Sequence, residues 1–220
     1  MASQIKIFDQ LCGSFMESEV TAFKENGFYR VEINSQCPYV QLFAKKIKEM
    51  KWGMDEIYGL NLYKMWSTAK SFGVKPFCPI PTAVMNAIWF EAGLIAESVA
   101  LATKTRFNLK KDESKTVLEL EIPICGYTAY ITAESTPAKT VKLSVEIPCP
   151  DVKKFTKDLE KKRMRDLDDC DEIYQLSQIT DEKTCYNPLA LCIAYAVQSK
   201  KINILNDEKP LVKISMAKLK

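Results

Sequence analysis

The sequence predicts an α+β protein: a helical N-terminal half, a four-stranded antiparallel β-meander, then C-terminal helices and a terminal hairpin. Three observations carry this. Residues 1–103 read as apolar-periodic segments stopped by glycine and proline. Residues 104–149 switch to alternating strand formers, and 150–220 return to helical spacing before two short apolar runs. The organisation expected is therefore a helical region at 1–103, a meander at 104–149, and helices plus a β-hairpin at 150–220 packed with the meander. The 220 residues are 47% hydrophobic and 27% charged, enough for a buried core and unlike disordered or collagen-like chains.

Taken in order, Ser3 caps a short helix through Leu11, and Glu17–Asn26 forms a second that stops at Gly27. Phe28–Ile33 alternates as a strand. Pro38 occupies the first turn of a helix carrying Val40, Phe43, Ile47 and Met50 on one stripe. Asp55 caps the next helix, which runs to Gly73. The three prolines of Lys75–Pro81 predict an extended connector, after which Thr82 caps an almost wholly apolar helix from Ala83 to about Thr103. Four strands follow at Thr105–Lys110, Lys115–Ile122, Tyr127–Ala133 and Thr140–Ile147, with turns at Asp112-Glu113-Ser114 and Ser135-Thr136-Pro137. Within them the stretch from Lys115-Thr116-Val117 to Pro123 is echoed by the stretch from Lys139-Thr140-Val141 to Pro148. Proline at each end stops a ladder and blunts an edge. Asp151 to about Leu167 is helical again, and Asn187-Pro188 opens another helix. Ile202–Leu205, a polar turn at Asn206-Asp207-Glu208 and Leu211–Met216 resemble a hairpin.

Composition removes several function classes. There is no histidine, so Ser-His-Asp and Cys-His catalysis and His-metal sites are impossible within the chain. The seven glycines are too far apart for G-x-G-x-x-G, and Leu60-Asn61 follow Gly59 where a phosphate loop needs Lys and Ser or Thr. Eight cysteines occur without a C-x-x-C pair, which argues against cysteine-only zinc and for reduced thiols behaving as small apolar residues. No signal peptide and no long uncharged apolar window is read, so the expectation is a soluble protein, cytoplasmic or part of a virion. Net charge is +3, with 31 basic residues of which only Arg30, Arg106, Arg163 and Arg165 are arginine. Lysine is a solvated point charge rather than a reader of base edges.

Two surfaces stand out. The aromatic cluster Trp52, Tyr58, Tyr63, Trp66, Phe72, Phe77, Trp89 and Phe90 reads first as core. If it is functional, Trp52, Tyr63, Trp66, Trp89 and Phe90, with Leu211 and Ile214 of the tail, form a protein interface. Lys153, Lys157, Lys161, Lys162 and Arg165 make a basic row that could follow a phosphate backbone, but Asp166-Leu167-Asp168-Asp169-Cys170-Asp171-Glu172 follows at once and opposes it. That acidic run fails as a calcium loop, with Asp171 and Ser177 where glycine and glutamate are needed. The expectation is a non-enzymatic structural or interaction protein, self-associating or serving a larger assembly, with no catalytic residue, cofactor or metal and no membrane insertion. A sequence-tolerant nucleic-acid accessory protein and a Lys/carboxylate enzyme are the alternatives.

Overall fold

Alternation, not helical periodicity, governs the start of the chain. In the computed structural model it begins with three strands, β1 (Ala2–Asp9), β2 (Met16–Glu25) and β3 (Phe28–Ser35). Ser3, Ile5, Ile7 and Asp9 are buried in β1, and Ser18, Val20 and Ala22 in β2, always at alternate positions. This overturns the expected helices at Ser3–Leu11 and Glu17–Asn26, and with them the helical N-terminal half. Ser3 is no cap: its hydroxyl donates to Glu91 Oε2 at 2.7 Å. Residues 2–102, 104–111, 114–122, 124–179, 185–206 and 208–219 are described. The expected helix end at Thr103, the turn residues Asp112 and Glu113, Pro123 and Asp207 lie outside them.

Five helices follow: α1 (Pro38–Glu49), α2 (Met54–Gly59), α3 (Leu62–Lys70), α4 (Ile80–Glu91) and α5 (Glu97–Ala102). Three expectations are corrected here. The segment from Asp55 to Gly73 is two helices, because Leu60 is extended between them. The proline connector ends early, since Ile80 and Pro81 already form the first turn of α4, where a missing N–H costs nothing. The long helix from Ala83 is broken at Gly93, whose φ of 74° closes α4 with bonds from Gly93 N to Phe90 O and Leu94 N to Trp89 O.

The remaining strands are β4 (Thr105–Lys111), β5 (Lys115–Ile122), β6 (Tyr127–Ser135), β7 (Val141–Glu146) and β8 (Val212–Leu219). Between β7 and β8 come α6 (Pro150–Leu159), α7 (Cys170–Leu176) and α8 (Asn187–Gln198). All eight strands form one antiparallel sheet in the order β3-β2-β1-β8-β4-β5-β6-β7, so the expected four-stranded meander is half of a larger sheet. The expected terminal hairpin is absent. Residues 202–206 are not a strand, and β8 lies at the centre of the sheet between β1 and β4. Helix α6 also ends at Leu159 rather than near Leu167.

The architecture repeats. Tyr29 bridges Trp52, and Val141 bridges Met164; moving both members of the first bridge along the chain by one interval gives the second. The end of α4 recurs at the end of α8, where Lys200 at φ 57° donates to Val197 O and Lys201 to Ala196 O. Where β4 crosses β8, Thr105 faces Ile214, Arg106 faces Lys213 and Phe107 faces Val212. The displacement that carries Gly93 onto Lys200 also carries Arg106 onto Lys213, and it exchanges the two flanking pairs. The chain is thus two copies of a three-strand, helices, one-strand unit, β1 to β4 and β5 to β8, related by a pseudo-two-fold at Arg106–Lys213. Each copy gives its last strand to pair with the first strand of the other. Helix α4 covers β1, β2 and β3, and α8, whose twelve residues are all buried, covers β5, β6 and β7 on the same face. Among the described residues no helix is long and apolar enough to cross a membrane.

Candidate functional site

A cavity of about 540 Å³ lies beyond the end of β1, lined among others by Cys12, Met16, Cys37, Lys75, Cys78 and Lys201. Three segments far apart in sequence each bring one thiol. Cys12 sits in the turn after β1, exposed, followed by Gly13 at φ 77°, a conformation open to glycine at no steric cost. Asp9 shapes this turn by accepting from Leu11 N at 3.1 Å. Cys37 stands immediately before α1 in extended geometry, because Pro38 takes the first helical position, and the Cys37 carbonyl accepts from Gln41 N at 2.9 Å. Cys78 precedes Pro79, the cap of α4, and its sulfur accepts from the backbone N–H of Ile80.

Two of the thiols, those of Cys12 and Cys78, hold their protons. Although the residue is exposed at its turn, partial burial of the Cys12 thiol pushes it up to about 11, helped by negative charge on Asp9 and Cys37 and opposed by Lys75. Burial also holds Cys78 well above the usual thiol range against the Ile80 N–H, and Asp9, Cys12 and Cys37 add to it. Asp9 is itself raised to about 6 by burial, with the Leu11 N–H opposing. A protonated thiol is a poor nucleophile, so Cys12 and Cys78 are ill-suited to thiolate catalysis at neutral pH. A soft cation reverses that balance by replacing the protons. Among the described residues no three His, Cys, Asp or Glu side chains already stand at coordinating separation. Closing a shell here requires side-chain rotation and movement of the exposed Cys12 turn.

A family model described as a family of unknown function (DUF6951) matches residues 3–103 and 116–207, most of the chain. The chain belongs to this family. No curated protein and no solved structure matches it. One DUF6951 stretch falls on each structural copy, and each leaves out the last strand of its copy, β4 and β8.

In this DUF6951 chain the residues singled out for a protein or nucleic-acid interface lie elsewhere, although Phe77 of the wider aromatic cluster lines the cavity. Trp52, Trp66, Phe90, Leu211 and Ile214 are buried at 3% exposure or less, and Tyr63 and Trp89 are half-buried. Trp66 donates from Nε1 to Asp171 at 2.9 Å and stacks on Tyr174. Side chains covered by the chain's own core present little surface to a partner. On α6 and beyond, Lys153, Lys157 and Arg165 are exposed. Lys161 pairs with Asp158 at 3.3 Å, and Lys162 pairs with Glu172. Asp166 and Asp169 form a reciprocal cap on the turn Leu167–Asp169. The acids thus serve local structure and neutralise part of the basic row.

Close-pair spacing does not reveal the cavity thiols, because Cys12, Cys37 and Cys78 lie far apart in sequence and belong to three different elements. Their readable mark is a cysteine set beside a turn glycine or a helix-opening proline, as in Cys12-Gly13, Cys37-Pro38 and Cys78-Pro79-Ile80-Pro81.

Proposed function

We propose that the protein binds a thiophilic metal cation through Cys12, Cys37 and Cys78, as a binding protein rather than an enzyme. The observation that carries this is the convergence of three thiols from three separate segments on one cavity. Two of them sit at the starts of twelve-residue helices, whose N-terminal N–H groups favour a thiolate once a cation has displaced its proton. The half-buried Met16 supplies a thioether on the same wall, and sulfur donors favour soft metals over magnesium or calcium. The self-assembly and nucleic-acid readings have less support, since their apolar residues lie mainly in the core and two of their lysines are paired with acids.

The test is titration of the reduced protein with Cd²⁺, following sulfur-to-metal charge-transfer absorption in the ultraviolet. Saturable absorption with release of protons is expected, and Cys12→Ser, Cys37→Ser and Cys78→Ser should each weaken it. Fully reduced, folded protein that gives no such absorption overturns the proposal, as does absorption indifferent to all three substitutions.

A further inference from the structure

We propose that the C-terminal copy carries a second, independent thiol site made of Cys125, Cys149 and Cys185, so that one chain binds two soft cations. This rests on the reading of the first site and extends it to the other half of the chain, outside the cavity of Cys12.

Six of the eight cysteines fall at equivalent positions of the two copies. Cys12-Gly13 becomes Cys125-Gly126, each in the turn after the first strand of its copy, with glycine at φ 77° and 72°. Cys37-Pro38 becomes Cys149-Pro150, and the two cysteines share nearly the same backbone, φ −70° and ψ 121° against φ −60° and ψ 119°. The helices they open then bury matching residues, Val40, Phe43 and Ile47 against Val152, Phe155 and Leu159. Cys78-x-x-Pro81-x-Ala83 becomes Cys185-x-x-Pro188-x-Ala190. The remaining two, Cys170 and Cys192, stand at the places of the buried Leu62 and Met85 and are core residues at 0% exposure. A duplication that spared only general packing would not keep cysteine at these three places and lose it at the other two.

The local chemistry repeats as well. As Cys78 accepts from the N–H two positions on, so Cys185 Sγ accepts from Asn187 N at 3.5 Å, and here also from Asn187 Nδ2 at 3.2 Å. Asn187 is 1% exposed, and its Oδ1 has no hydrogen-bond partner among the described residues, so this amide is spent on the sulfur. Cys125 and Cys149 both lie within electrostatic reach of Cys185. Since no three His, Cys, Asp or Glu side chains among the described residues already stand at coordinating separation, closing a shell here requires side-chain rotation, as at the first site. N–H groups aimed at sulfur favour thiolate over thiol and tune bound metals.

The two sites cannot merge. β1 and β5 run in opposite directions in the sheet, so the turns carrying Cys12 and Cys125 lie at opposite ends of the strands. Nor are they identical. The cross-strand pair Asp9–Met16 beside the first turn is Ile122–Tyr127 beside the second, so the second site lacks both the carboxylate and the thioether. Its affinity for cation therefore differs from that of the first.

The experiment is native mass spectrometry of the reduced full-length chain with Cd²⁺. Two bound ions are expected for the unmodified protein. One is expected for the triple variant Cys125→Ser, Cys149→Ser, Cys185→Ser, and one for Cys12→Ser, Cys37→Ser, Cys78→Ser. A single ion, lost from the second variant and kept by the first, overturns this inference and leaves the first site standing. No ion at all overturns both. Two ions lost together from either folded variant also overturn it, because the sites would not be independent. Cys149 is buried, so the same question is put to the unmodified protein by alkylation and peptide mapping. Cd²⁺ should slow labelling of Cys125, Cys149 and Cys185, and unchanged labelling of all three overturns the inference without any variant.

Discussion

Replacing Glu91 with glutamine tests how the last strand is locked to the core. Glu91 ends α4 with a side chain only 7% exposed, and Lys218 of β8, 24% exposed, donates to its Oε2 at 3.0 Å. Ser3 donates to the same oxygen at 2.7 Å. Glutamine keeps the shape and an acceptor for Ser3, so the substitution removes the charge pair and little else. Breaking a fully buried pair costs about 3–5 kcal/mol, and an exposed pair is worth about 0–1 kcal/mol. Lys218 falls between: it keeps some water, the Phe90 carbonyl at 3.5 Å and a position 4.6 Å over the Phe90 ring, worth about 1 kcal/mol. The expected loss is about 2 kcal/mol. Lys218→Met should cost at least as much, because it strands the more deeply buried carboxylate. The double variant should then show a coupling of about 1–2 kcal/mol in urea unfolding at pH 7. The C-terminal copy already makes the exchange: Gln198 stands at the position of Glu91 and accepts from Thr116, the counterpart of Ser3, at 2.6 Å. A coupling under about 0.3 kcal/mol, within the spread expected of independent sites, would refute the assignment of Glu91–Lys218 as a lock.

Deleting residues 210–220 removes the strand between β1 and β4 together with buried Leu211, Val212 and Ile214; at about 1.5–3 kcal/mol each, before the lost ladders, this consumes most of an ordinary stability of about 5–15 kcal/mol. Far-UV circular dichroism of the truncated chain should show no cooperative unfolding, and a sharp transition would contradict the central placement of β8. Phe43→Ala and Phe155→Ala, at equivalent buried positions of α1 and α6, should each cost about 3–5 kcal/mol in denaturant unfolding; a near-neutral result at either would break the equivalence of the copies. Lys200→Gly should stabilise by about 1 kcal/mol, raising Tm by about 2–4 °C in calorimetry, because Lys200 occupies at φ 57° the place that Gly93 fills in the other copy.

Local signals marked several elements. Pro38 and Asn187-Pro188 opened helices where they stand, and the alternation of Val117-Leu118-Glu119-Leu120-Glu121 and Val141-Lys142-Leu143-Ser144-Val145 marked β5 and β7. The first two strands escaped because Gly13 and Gly27 follow segments of helix-compatible length, and apolar residues at i and i+2 weigh little against such punctuation. The position of β8 had no local mark at all, since pairing with β1 spans the whole chain. The echo between Lys115-Thr116-Val117 and Lys139-Thr140-Val141 relates β5 to β7, which share a sheet but belong to one copy. The true repeat has a period near half the chain and leaves only sparse marks: Cys-Gly, Cys-Pro, Cys-x-x-Pro-x-Ala and a Val-x-x-Phe beneath the second. Those marks are the candidate site, and close-pair spacing passes over all of them.

Strand exchange makes the two copies dependent on each other, and it reaches the first cavity directly. Lys201, Ile202 and Asn203, which follow α8 of the second copy, line the cavity of the first. Gln10, just before the Cys12 turn, donates to Asn206 O at 2.8 Å and accepts from Asn206 N at 2.9 Å. The turn that must move to close a shell around a cation is therefore tied to the segment that delivers β8 into the sheet. Anything bound at Cys12, Cys37 and Cys78 favours the folded chain by RT ln(1 + [L]/Kd), about 2.7 kcal/mol at a hundredfold excess over Kd. With the tie through Gln10, that stabilisation acts on the central strands and so on both copies at once. Were a cation bound as proposed, loss of β8 would weaken its binding, and loss of the thiols would remove the stabilisation that binding gives to β8.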